Sequence, residues 1–81
     1  MRIKHFQNAF SHELLREIRR KTKNWNNVFI YGIKIGAVNE GGYCVCVLLT
    51  DRFDFDMRLA NICSVIGQYD KYGKFEGYRE D

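Results

Sequence analysis

Apolar residues recur at every fourth position near the start of the chain. The stripe comprises Phe6, Phe10, Leu14 and Ile18. This period places apolar side chains on one side of a helix, so the pattern predicts an amphipathic first helix. Asn8 and Ser11 are both candidate N-caps, because a short polar side chain there accepts from a free amide of the first turn. The helix is expected to end near Lys23, after a group of cations that suits its negative pole.

Two runs rich in β-branched and aromatic residues follow, at residues 28–35 and 43–50. The segment between them contains Gly41 and Gly42, which tolerate turn conformations, so the two runs are predicted to form a β-hairpin. The second run is apolar on both faces. Such a strand is typical of a sheet interior, and it therefore needs a neighbour along each edge.

The remaining chain predicts a short strand and a second helix. Residues 52–55 alternate between polar and apolar and would place Phe53 and Phe55 on the core face of a third strand. Asp54 or Asp56 would then cap a helix. Its apolar face would comprise Leu59, Ile62, Cys63, Ile66 and Tyr69. Residues 71–81 contain two glycines, which disfavour a helix, and they predict a loose tail or an added edge strand.

The sequence thus predicts a small single α+β domain spanning residues 1–81, with the order α-β-β-(β)-α. A two- or three-stranded antiparallel sheet would pack against two helices. This order resembles that of double-stranded-RNA-binding domains. Those domains have a lysine-rich motif at the start of the last helix, whereas residues 57–62 contain Arg58 as their one cation, so the resemblance implies element order alone.

Composition indicates a packed, reduced, non-membrane protein. Hydrophobic residues make up 46% and charged residues 28%, which excludes the composition of a disordered chain. No apolar run approaches the roughly 18 residues needed to span a bilayer. The first residues do not have the pattern of a secretory signal, so a cytoplasmic location is expected. Cys44 and Cys46 lie inside an apolar run and are expected to be reduced core residues.

Positive charge is concentrated in the first third of the chain. Residues 1–26 carry seven Lys or Arg against two Glu, a net of +5, whereas residues 27–81 carry six against eight acids, a net of −2. The candidate nucleic-acid or partner contacts are Arg16, Arg19, Arg20, Lys23 and Lys34. The alternative is a solvated helix face, because Glu13 and Glu17 have helical spacing to several of these cations.

Aromatic residues are spaced by threes near the end of the chain. Tyr72, Phe75 and Tyr78 alternate with cations and predict a protein contact, since Glu76 and the acids that follow would repel phosphates. The alternative is that Tyr69 and Tyr72 complete the core and that the rest frays.

Candidate catalytic chemistry is limited to one group. His12 and Glu13, with the neighbouring arginines, could supply the acid, base and phosphate contacts of a small toxin-like ribonuclease, although a surface histidine at a helix start is more often inert. No metal or cofactor is predicted, because the Cys44 and Cys46 pair lacks the second ligand pair of a zinc site.

These patterns favour a non-enzymatic binding protein that occupies a surface of a protein or nucleoprotein machine, or of nucleic acid. Such a protein would be a regulator or inhibitor, of the kind that phages and mobile elements encode. A homodimer through the sheet is also expected, because the run at residues 43–50 has more apolar surface than two helices would cover.

Overall fold

A computed structural model of the protein describes residues 10–52 and 59–79. One helix, α1, packs on a sheet of four antiparallel strands in the order β1-β2-β3-β4. The elements are α1 (His12–Lys21), β1 (Phe29–Ala37), β2 (Tyr43–Thr50), β3 (Ile62–Tyr69) and β4 (Phe75–Arg79). The α+β class is therefore confirmed. No helix among the described residues is long and apolar enough to cross a membrane.

The predicted first helix is confirmed, and its ends are defined by hydrogen bonds. The Ser11 side chain accepts from the Leu14 amide at 3.3 Å, so Ser11 is the N-cap. Thr22 caps the other end, where its amide and hydroxyl both donate to the Ile18 carbonyl, at 3.1 and 2.7 Å. The alternative cap Asn8 and the first apolar residue, Phe6, lie outside the described residues.

The predicted hairpin is also confirmed. A turn at Asn39–Gly41 connects β1 to β2, and Glu40 and Gly41 both have positive φ, at 68° and 82°. The interior position of β2 is confirmed, since it pairs with β1 on one side and β3 on the other. An irregularity between Ile30 and Gly32 shifts the register of β1.

The predicted second helix is wrong, because residues 62–69 form β3. This strand pairs with β2 along its whole length, from Ile62 opposite Thr50 to Tyr69 opposite Tyr43. Val65 and Ile66 favour a strand, and Gly67 in the middle disfavours a helix. Across residues 10–52 and 59–79 the sheet thus has four strands, not two or three, and packs against one helix, not two. Consequently the similarity to the element order of double-stranded-RNA-binding domains does not hold.

Two further predictions concern the segments beside β3. Arg52 lies outside any strand, and residues 53–55 of the predicted third strand lie outside the described residues, as do the candidate caps Asp54 and Asp56. Residues 75–79 form the edge strand β4, which is one of the two structures expected for the end of the chain.

The core lies between α1 and one face of the sheet, close to β3. Leu14 and Ile18 of α1 are each 1% exposed, and the strands contribute Ile30, Val47, Leu49 and Val65. Gly67 lets the helix approach β3, because a Cβ added there would lie 3.2 Å from Cδ1 of Leu14. A helix is about 10 Å wide, whereas four strands about 4.8 Å apart span about 14 Å between the outer two. Within the described part of the chain, α1 therefore leaves part of this sheet face uncovered.

Candidate functional site

One flank of α1 is attached to β3 and β4. The Tyr78 hydroxyl on β4 donates to the Glu13 carbonyl at 2.7 Å, and Nζ of Lys21 donates to the Ser64 carbonyl on β3 at 2.9 Å. Glu17 belongs to the same flank because it lies one helical turn from each of Glu13 and Lys21. These three residues form the attached flank, which faces the β4 edge of the sheet.

The other flank of α1 carries cations and faces the β1 side. Arg16 and Arg19 on the helix and Lys23 in the turn after it are exposed, and we call them the basic flank. Their spacing of three and four positions aligns them along the helix. Among the described residues, none of these three side chains has a hydrogen bond or an ion pair. This flank lies toward β1 because the attached flank faces β4.

The other two predicted cations lie apart from this flank. Arg20 forms an ion pair with Glu17, so this predicted contact residue already has a partner within the helix. Lys34 lies on β1 between Ile33 and Ile35, which face the α1 side of the sheet. Because strand residues alternate, the Lys34 side chain is directed to the opposite sheet face. The structure therefore brings three of the five predicted cations together.

The three predicted aromatic contacts have different environments. The Phe75 ring packs edge-on against both Tyr69 and Tyr78, with ring centroids 5.6 and 4.9 Å apart. Tyr78 also bonds to α1, so Phe75 packs against the side chain that joins β4 to the helix. Tyr72 lies in the β3–β4 turn and is 83% exposed, with Nζ of Lys71 5.2 Å from its ring centre.

His12 and Glu13 occupy consecutive positions at the start of α1. Consecutive helix residues point about 100° apart, which directs Glu13 to the attached flank and the exposed His12 toward the basic flank. The side chains of His12 and Glu13 therefore do not point to one common site. The ribonuclease prediction rests on the sequence pattern alone.

An apolar groove lies between the start of α1 and β1, and sequence reasoning did not identify it. We call it the α1–β1 groove, and its volume is about 400 Å³. It is lined by Phe10, Ser11, Leu14, Ile33, Ile35, Tyr43, Val45, Tyr69 and Gly73. The sequence does place Ile33 and Ile35 on one face of β1, because they are two residues apart. Whether they are exposed depends on which strands α1 covers.

A second, polar cleft of about 550 Å³ lies at the opposite end of the sheet. Its lining is rich in amides and comprises Asn24, Trp25, Asn26, Asn27, Phe29, Asp51, Arg52 and Asn61. The Asp51 carboxylate accepts from the Asn61 side chain at 2.7 Å and from its backbone amide at 2.8 Å. The side-chain bond is the main reason that the pKa of Asp51 is lowered. Asp51 thus joins the ends of the β2–β3 connection.

The three cysteines form no disulfide and lie on both faces of the sheet. Cys63 is opposite the buried Leu49 and packs against the core on the α1 side, where burial raises the pKa of its thiol. Cys44 and Cys46 alternate with the core residues of β2 and lie on the other face. Within the described residues, no group of three or more His, Cys, Asp or Glu side chains could hold a metal ion.

The sheet face away from α1 is also partly apolar. Leu48 and Ile66 lie on it and are half-buried, and Leu48 packs closely over Gly32 of β1. In the described part of the chain, no helix packs on this face. The predicted homodimer through the sheet stays a prediction.

No family model matches the sequence, and the comparisons with curated proteins and with solved structures also found no match.

Proposed function

We propose that this protein is a non-enzymatic binding protein that occupies an anionic surface of a protein or nucleoprotein partner through the basic flank. The observation that carries the proposal is the contrast within α1. Arg16, Arg19 and Lys23 are exposed and have no partner among the described residues, whereas Arg20 and Lys21 are engaged within the chain. Cations held on a folded helix without internal partners can contact carboxylates or phosphates directly.

The rigidity of α1 supports this function. The helix is capped at both ends and attached to β3 and β4, so the backbone that carries Arg16 and Arg19 is held in place before a partner binds. A contact surface that is ordered in advance loses less entropy on binding. A protein of this kind would act as a regulator or inhibitor by excluding other molecules from the surface it covers.

The test compares two double variants with the same change in charge. Arg16→Glu with Arg19→Glu reverses the basic flank, and Lys71→Glu with Lys74→Glu reverses two exposed cations in the β3–β4 turn. Arg20 stays unchanged because its replacement would also break its ion pair with Glu17. Circular dichroism checks that both variants remain folded.

Each tagged protein is used to capture partners from lysate of the source cells, with and without nuclease and at low and high salt. We expect the wild type and the turn variant to capture the same partner, and the flank variant to lose it. Loss of the partner after nuclease treatment and at high salt would identify nucleic acid as the anionic surface, whereas resistance to nuclease would identify protein. Capture of that partner by the flank variant at the wild-type level would contradict the proposal.

A further inference from the structure

The polar cleft at the end of the sheet presents amide side chains that are not used inside the described part of the chain. Asn24, Asn26 and Asn27 line it from the loop between α1 and β1, and all three are exposed. Their side chains have no hydrogen bond to a described residue, and we call them the loop amides. Each offers a donor beside an acceptor, so together they can bind a ligand that has both.

The opposite wall of the polar cleft is held by hydrogen bonds. The Asp51 carboxylate accepts from Asn61, and Nε of Arg52 donates to the Leu59 carbonyl at 3.2 Å. Trp25 packs against the core and also lines the cleft. The volume of about 550 Å³ lies within the range of roughly 300–1,000 Å³ that small-molecule sites have. The cleft is therefore a formed site for a ligand about the size of a nucleotide.

Positive charge leads from α1 into the polar cleft. Lys23 ends the basic flank and directly precedes Asn24, the first of the loop amides. Residues 17–28 carry four cations against one acid, and the described part of the β2–β3 connection carries one of each. Residues 53–58 add two acids and one cation by sequence, which leaves the sum positive. A negatively charged ligand is therefore favoured at this end of the molecule.

These features favour an unpaired base with its phosphates over other ligands. Base edges carry donors and acceptors side by side, and an asparagine amide matches such an edge with two hydrogen bonds. A base can enter a concave site only when it is outside a duplex stack. A carboxylate only accepts hydrogen bonds, so the acidic side chains of a peptide would use only half of each amide. A neutral sugar would gain nothing from the cations of the basic flank.

We propose that the polar cleft binds an unpaired base of a single strand of RNA or DNA, whose neighbouring phosphates contact the basic flank. The loop amides bond the edge of the base, and the cations of the basic flank position the strand. This inference rests on the proposed function and specifies the anionic surface as single-stranded nucleic acid.

The probe is a 12-nucleotide strand of mixed sequence that contains all four bases. It is made as RNA and as DNA, and each strand is tested alone and annealed to its complement. Anisotropy of an end label measures binding over a range of salt concentrations, and a preference for RNA or DNA shows which strand the protein selects. Trp25 is the one tryptophan of the chain, so its fluorescence reports on the polar cleft. We expect the unlabelled single strand to quench it and the duplex to leave it unchanged.

Matched amide variants test the polar cleft. Asn26→Ala with Asn27→Ala removes two loop amides, whereas Asn39→Ala removes an exposed amide from the turn between β1 and β2. Circular dichroism checks that both variants remain folded. We expect the cleft variant to bind the single strand about tenfold more weakly than the wild type, because it loses bonds to a base edge. The control variant should bind it normally.

Salt dependence separates the polar cleft from the basic flank. The cleft variant loses no phosphate contact, so its affinity should fall with salt as steeply as that of the wild type. The flank variant, Arg16→Glu with Arg19→Glu, should show a shallower dependence because it loses contacts to phosphates. The cleft variant should bind the duplex as the wild type does.

Several results would overturn the inference. These are failure of the wild type to bind either strand, equal binding of the single strand by the cleft variant, or unchanged Trp25 fluorescence at saturation. The same loss of single strand and duplex in the cleft variant would also contradict it. A nuclease-resistant protein partner that only the flank variant loses, with no binding of either strand, would leave the proposed function standing while this inference fails.

Discussion

The two halves of the sheet face under α1 differ in how they use apolar surface. On the β3–β4 half, Gly67 admits the helix and the hydroxyl of Tyr78, a residue that is 43% exposed, bonds to it, so this half is attached to α1. On the β1 half, Ile33 and Ile35 lie on the same face but are 40% and 72% exposed. The difference shows that, among the described residues, α1 packs more closely on the β3 part of this face than on the β1 part.

Removing one isoleucine from each half should give the largest difference. Ile18→Ala leaves a cavity between α1 and the sheet, and we expect the free energy of unfolding to fall by about 2–5 kcal/mol. Ile35→Ala removes the same atoms from an exposed site and should change the free energy of unfolding by less than about 0.5 kcal/mol. Urea unfolding followed by circular dichroism measures both. Similar losses for the two variants would mean that the β1 half is as closely packed as the β3 half.

Adding a methyl group to a glycine of β3 and to a glycine of β1 should have a smaller effect. In Gly67→Ala, the new Cβ would lie 3.2 Å from Cδ1 of the buried Leu14 and 3.3 Å from the ring of Tyr69, so we expect destabilisation by about 1–3 kcal/mol. In Gly36→Ala, the new Cβ would lie on the sheet face away from α1, 3.4 Å from Sγ of Cys44 on β2, an ordinary contact.

Alanine is better than glycine in a strand by roughly 0.5–1 kcal/mol, so Gly36→Ala should be neutral or stabilising. Thermal unfolding of the two variants compares these effects. A stabilised Gly67→Ala variant would show that α1 does not closely approach β3.

The smallest expected change in stability concerns the hydrogen bond that attaches β4 to α1. Tyr78→Phe removes the 2.7 Å hydrogen bond to the Glu13 carbonyl and should lower the free energy of unfolding by about 0.5–1.5 kcal/mol. Tyr72→Phe is the control, because this side chain is 83% exposed and its hydroxyl has no hydrogen bond to a described residue. We expect no change for Tyr72→Phe in the same urea titration. Equal stability of the two variants would mean that the Tyr78 hydrogen bond does not stabilise the attachment of β4 to α1.

Local patterns were sufficient for α1 and the hairpin but not for β3. Leu14 and Ile18 on α1 have one consistent period, and the bounds of β2 at residues 43–50 agree with the apolar run. Residues 62–69 contain apolar positions that fit both a helical and a strand period. The strand forms because all eight residues pair with β2, a long-range interaction that a local window does not contain.

The candidate site was only partly predictable for a similar reason. The sequence places Arg16, Arg19 and Lys23 along one side of a helix. It does not show that Lys34 is directed to the opposite sheet face, since that depends on the register of β1. The α1–β1 groove was missed because its walls come from five separate parts of the chain, which only the folded structure brings together.

The sequence by itself determined the amphipathic first helix, the hairpin, the interior character of β2 and the positive charge of the first third of the chain. These features depend on periodicity, turn residues and composition, which are local properties. Only the tertiary structure decided that residues 62–69 are a strand, that α1 lies over β3 and not β1, and that Ile33 and Ile35 remain exposed. These outcomes depend on pairing and packing between distant residues, and a single helix cannot cover all four strands at once.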